Sequence, residues 1–128
     1  GSEGRLRLER RMPRPTLWDA FLGYLAARGF AVPAASRARD VTAPVAVSPE
    51  LQPVLVDVYR RDPEASALCE RLVDLDEGIQ EWRYRHVKMV QRTIGMKRGT
   101  GGSQGAAYLM TTLDRPCFPD LWAIRTEL

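Results

Sequence analysis

One long run of residues governs what this chain can become. Between Asp62-Pro63 and Gly95 stand Leu68, Leu72, Leu75, Ile79, Trp82, His86, Met89 and Thr93. They follow one another at alternating steps of three and four, which draws one stripe along an α-helix. Asp62 ahead of Pro63 is a cap followed by the helix position that tolerates proline, and Gly95 is a stop. The spacing therefore predicts a helix from about 63 to 94. Gly78 costs about 1 kcal/mol inside it without breaking it.

The remaining segments agree with an all-α fold. Thr16 to Arg28 reads as a helix, with Thr16 and Asp19 placed for a capping box and Gly29 as its stop. Leu17, Trp18, Phe21, Leu22, Tyr24 and Leu25 give it an apolar face. Pro33, Pro44 and Pro49 interrupt the next stretch too often for a strand, so it reads as an extended connection. Ser48-Pro49 signals a helix start and a run to about Arg60, with Pro53 tolerable only in the first turn. Ala106 to Leu113 reads as a short helix, Arg115-Pro116 breaks it, and Pro119 to Leu128 closes the chain. The apolar positions of that last helix are Leu121, Trp122, Ile124 and Leu128. Residues 1–15 form a polar, arginine-dense arm, and residues 16–128 one helical unit.

Composition enters as a set of exclusions. The chain has 128 residues, 45% of them hydrophobic, with 19 Lys plus Arg against 16 Asp plus Glu. That is enough apolar content for one core and excludes a disordered charged tail. No stretch approaches the roughly 18 apolar residues of a membrane span, and no secretory signal opens the sequence. A charge of +3 without a helix-turn-helix, finger or aromatic-strand module gives no case for nucleic acid. Cys69 and Cys117 stand in unrelated contexts and read as free thiols, which implies a reducing, cytoplasmic setting. A single histidine excludes a metal centre built from several imidazoles of this chain.

Two features can carry chemistry. The first is His86, the one histidine, on the apolar stripe. A core histidine bonded to a neighbour fits that position. So does the single axial ligand of a haem iron, which needs an apolar wall such as Trp82, Met89 and Val90 would provide. The second is the glycine-rich stretch Gly99-Thr100-Gly101-Gly102-Ser103-Gln104-Gly105. Convergent backbone N–H groups there suit a small anionic or zwitterionic ligand, with hydroxyls from Thr100 and Ser103. A plain surface turn fits equally well. The stretch lacks the Gly-Lys-Ser/Thr ending of a nucleotide phosphate loop and follows a helix instead of a strand.

The run Trp82-Arg83-Tyr84-Arg85-His86-Val87-Lys88-Met89-Val90-Gln91-Arg92-Thr93-Ile94-Gly95, continued by Lys97-Arg98-Gly99-Thr100-Gly101-Gly102-Ser103, resembles the C-terminal half of the tryptophan 2,3-dioxygenase family. In looser form the resemblance extends from Leu17-Trp18-Asp19-Ala20-Phe21-Leu22 to Leu121-Trp122. It implies a helical haem dioxygenase fold and haem b as cofactor, with His86 as the proximal iron ligand and Trp82 supporting it. Thr100 would meet the ammonium group of L-tryptophan, and Gly99 and Gly101 would shape its loop. Arg83, Arg85, Lys88 and Arg92 would in part face the haem propionates. Gln104 departs from the small residue usual after Ser103.

The implied reaction is haem-dependent cleavage of the indole C2–C3 bond by O2, giving N-formylkynurenine. A monooxygenase forming an oxindole-type product and a non-catalytic helical assembly subunit are the competing readings. The family's distal pocket comes from an upstream helical region, and no segment before Thr16 can hold it. The chain therefore reads as a proximal-side fragment, completed by a companion polypeptide or an N-terminal half. On its own it would expose the stripe around His86. Family resemblance further implies a homotetramer.

Overall fold

The computed structural model describes residues 16–95, 110, 111, 113 and 115–128. Among the described residues, α-helices run in the order α1 (Leu17–Ala27), α2 (Ala34–Arg37), α3 (Gln52–Arg61), α4 (Pro63–Ile94) and α5 (Pro119–Ala123). The last tightens into a 3-10 turn over Ile124–Glu127. Among the described residues there is no strand, so the all-α reading holds, with α4 as its 32-residue axis. The polar arm 1–15 and most of the short helix expected at Ala106–Leu113 lie outside the described residues.

Local chemistry sets the helix ends. Thr16 and Asp19 form the expected capping box: the Thr16 N–H donates to Asp19 at 2.8 Å and the Asp19 N–H to the Thr16 hydroxyl at 3.4 Å. Gly29 adopts φ +94° just past the end of α1, a conformation open to glycine. Asp62 caps α4 by accepting from the Ala65 N–H at 3.0 Å, with Pro63 in the first turn. Gly95, at φ +61°, ends it.

Two boundaries differ from the sequence expectation. Ser48 does not cap α3. Its N–H instead donates to the buried Asp120 carboxylate at 2.9 Å, and the Gln52 side-chain amide reaches the same oxygen at 3.0 Å. That long-range carboxylate holds residues 48–51 out of the helix, which starts at Gln52 with Pro53 safely in its first turn. The connection after Gly29 is not wholly extended either, because Pro33-Ala34-Ala35 starts the single turn α2. Arg39 then folds back, and its guanidinium binds Asp19 at 2.8 and 2.9 Å and the Thr16 hydroxyl at 2.9 Å.

The core lies at one end of α4. Trp18, Phe21, Leu22 and Leu25 of α1 meet Leu55, Val56 and Val58 of α3. Ala65, Cys69, Leu72 and Val73 of α4 join them, and Phe118, Leu121 and Ile124 close the other side. The Trp18 and Phe118 rings stack with centroids 5.5 Å apart. Of the apolar residues expected for the last helix, Leu121 and Ile124 are buried, whereas Trp122 and Leu128 are exposed. The shift from α-helix to 3-10 geometry after Ala123 takes Leu128 off the apolar face. Trp122 turns outward with its indole N–H on Asp76.

Candidate functional site

The stripe read from the sequence is not the face by which α4 joins this core. The buried positions are Ala65, Cys69, Leu72, Val73, Asp76 and Val87. At 100° per residue their mean direction lies roughly a quarter turn from the stripe. Leu72 belongs to both faces. Four stripe residues spaced by sevens are exposed: Leu68 at 40%, Leu75 at 45%, Trp82 at 64% and Met89 at 56%. So α4 has two apolar faces, and the described residues cover one. The exposure of the stripe around His86 is the outcome expected of a fragment.

His86 and Trp82 meet on the open face. Their rings stack 5.0 Å apart and 7° from parallel. One helical turn separates the two residues, which allows the overlap. The imidazole is half-buried while the indole is largely open. The pair thus presents ring nitrogens beside a flat aromatic surface and the exposed Met89 side chain. The described residues offer no group of three His, Cys, Asp or Glu side chains that could hold a bare metal ion. A planar apolar group needing one axial nitrogen fits this surface; a naked cation does not.

The arginines divide. Arg83 is turned away from the open face: its guanidinium donates to the Arg115 carbonyl at 2.5 Å and contacts the Cys117 sulfur at 3.8 Å. Successive helix residues point about 100° apart, so Arg83 cannot share the face of Trp82. Arg85, Lys88 and Arg92 line a shallow groove with Tyr84 and with Met89 and Thr93 of the stripe. The Lys88 ammonium sits 5.6 Å from the Tyr84 ring centre.

Asp76 is absent from the residues that the sequence singles out. It is fully buried, and its carboxylate accepts from the Cys117 N–H at 2.8 Å, the Phe118 N–H at 2.9 Å and the Trp122 indole at 3.0 Å. The one signal for it is an acidic residue one turn from Leu72, on a helix face otherwise apolar there. Neither thiol forms a disulfide. Burial pushes Cys69 up to about 12, which makes it an inert packing group. Burial and then the Asp76 charge also raise Cys117. Thr100, Gly99 and Gly101 lie outside the described residues, so no distance relates them to His86.

The chain is similar to known proteins over most of its length. The family model described as Tryptophan 2,3-dioxygenase matches residues 26–128. The tryptophan 2,3-dioxygenase of Herpetosiphon aurantiacus is 62% identical over 122 residues, covering 95% of this chain and 46% of its own length. That of an Anaeromyxobacter species is 58% identical and covers 100% and 48%. That of an Arthrobacter species is 45% identical and covers 98% and 45%. The chain spans just under half the length of these relatives.

Proposed function

The chain belongs to the tryptophan 2,3-dioxygenase family, and we propose that it is the proximal, haem-holding half of an enzyme that oxidises L-tryptophan with O2. The observation that carries this reading is the stacked Trp82–His86 pair on an apolar helix face that the described residues leave largely exposed. His86 would offer a ring nitrogen to the iron of haem b. Trp82 and Met89 would supply apolar surface beside it, and the stack would restrain the imidazole's rotation. Bound haem would supply the oxidation itself, both oxygen atoms of O2 adding across the indole C2–C3 bond to give N-formylkynurenine.

In this reading Thr100 positions the substrate ammonium group, and Gly99 and Gly101 let the backbone approach it. The other half of the protein, or a companion polypeptide, covers the exposed stripe and excludes water from the iron. Assembly into a homotetramer and a reducing, cytoplasmic location complete the proposal.

The test uses the complete protein. His86→Ala should abolish the haem Soret band while helicity by circular dichroism is kept. Haem retained by that variant would overturn the assignment. Product mass decides the reaction: two added oxygen atoms support the dioxygenase, and one would replace it with a monooxygenase.

A further inference from the structure

A cleft of about 290 Å³ lies at the packed end of the molecule and shares no described lining residue with the His86 surface. The core residues Trp18 and Leu51 line it, together with Ser36 of α2, Val45 and Val47 of the connection, and Asp120 of α5. That volume stands at the lower end of small-molecule sites, and the lining is mostly apolar with a few polar groups among it.

Two of those polar groups are left short of partners. Asp120 is 1% exposed. Its Oδ1 accepts from the Ser48 N–H at 2.9 Å and from the Gln52 side-chain amide at 3.0 Å. Its Oδ2 receives only the same Ser48 N–H, at 3.2 Å. A carboxylate offers several acceptor sites, so Oδ2 has capacity to spare. The buried Asp76 shows the contrast: one donor serves its Oδ1 at 2.8 Å and two serve its Oδ2 at 2.9 and 3.0 Å. The second group is the Ser36 hydroxyl, which is shut off from solvent with no hydrogen-bond partner among the described residues. Burying such a group unpaired is costly.

The charge balance points the same way. Among the described residues no cation forms an ion pair with Asp120. Arg39 lines the cleft, but its guanidinium is spent on Asp19 at 2.8 and 2.9 Å and on the Ala43 carbonyl at 3.1 Å. Asp40 adds a second carboxylate at the rim. A buried carboxylate calls for a counter-ion. The described residues gather no third His, Cys, Asp or Glu that would hold a bare metal ion, so an organic cation fits better.

We propose that this cleft binds a small organic ammonium ion. Its N–H groups donate to Asp120 Oδ2 and to the Ser36 oxygen, and its apolar part lies against Trp18 and Val45. The proposal is independent of the haem reading.

The test is calorimetric titration of the complete protein with benzylammonium, benzyl alcohol and benzoate, which share one ring and differ in the polar group. Benzylammonium should bind with a Kd on the order of 1 mM, and the other two at least about tenfold more weakly. Asp120→Asn keeps an oxygen for the Ser48 and Gln52 bonds and removes the charge, so it should weaken benzylammonium at least about tenfold. Ser36→Ala deletes an unpaired hydroxyl, leaves the fold intact, and should weaken it about threefold. The haem Soret band should not move during the titration.

Equal binding of benzyl alcohol or benzoate would reduce the cleft to an unselective apolar hollow and overturn the proposal. Binding that survives both substitutions, or that shifts the Soret band, would place the amine elsewhere and overturn it too. So would the absence of any binding heat up to about 20 mM benzylammonium.

Discussion

The two halves of α4 share one continuous helix and do opposite things. From Pro63 to Asp76 it buries Ala65, Cys69, Leu72, Val73 and Asp76 against the rest of the chain. From Glu77 to Ile94 only Val87 is buried among the described residues, and Trp82 and Met89 face outward. The first half commits its apolar residues to the core of this chain. The second keeps its apolar residues open beside its one imidazole. What differs most is which neighbours the fold brings up to them. An exposed apolar stripe lowers solubility and adds nothing to an isolated fold, so its presence argues for a covering group.

The sharpest way to break this comparison is truncation on each half. Leu72→Ala should lower the stability of this chain by about 2–5 kcal/mol, since it removes a buried side chain and leaves a cavity. Met89→Ala should change it by no more than about 0.5 kcal/mol, because Met89 is already 56% exposed. Urea denaturation followed by circular dichroism measures both. In the complete protein the gap should narrow, with Met89→Ala now losing haem affinity. Equal losses in the isolated chain would mean that the second half of α4 is covered from within, and the comparison would fall.

Much of the fold is legible in the amino-acid sequence, and the reasons are local. Thr16-Asp19, Asp62-Pro63, Gly29 and Gly95 announce their helix ends through bonds made within three or four residues. His86 and Trp82 share a face by spacing alone. Legibility stops where a partner is distant in sequence. Ser48 has the local signature of a cap because Asp120, 72 residues later, is invisible to local reading. Arg83 gives no local sign of its bonds to Arg115 and Cys117, because those contacts arrive from residues 32 and 34 positions on. The stripe itself is plain in the spacing, but periodicity alone does not say whether a face is covered by this chain or by something else.

Acid should separate the halves more gently. Three carboxylates held below their usual range brace the packed end. Burial alone would raise Asp19, but hydrogen bonds from Arg39 and Thr16 more than offset it. The Arg28 guanidinium, bound at 2.7 and 2.9 Å, lowers Asp62, helped by the Ala65 N–H. Arg125 lowers Glu70 from 2.8 Å away. A depressed folded-state pKa contributes stability that is present above the unfolded value, about 4 here, and is lost as pH falls through the folded value. The urea midpoint of this chain should therefore drop below about pH 4 and stay flat from about pH 5 to 7. These pairs are partly exposed, so salt should blunt the drop. A midpoint that ignores pH down to about 2 would remove these ion pairs from the account of the packed end.

The mildest test sits at the border between the halves, at Gly78. It is exposed, and a Cβ added there would meet nothing within 4 Å. It also lies on the helix flank shared by Arg71, Arg85 and Arg92, since the four are spaced by multiples of seven. In this chain Gly78→Ala should therefore stabilise by about 0.8–1 kcal/mol, the ordinary gain of alanine over glycine inside a helix. The complete protein gives the more informative number. If the group that covers the stripe also packs close against this flank, the new methyl meets it and the gain shrinks or reverses. If the covering group stops short, the gain survives in full. Among the described residues nothing requires a glycine at this mid-helix position. The difference between the two measurements therefore locates the edge of whatever covers the second face of α4.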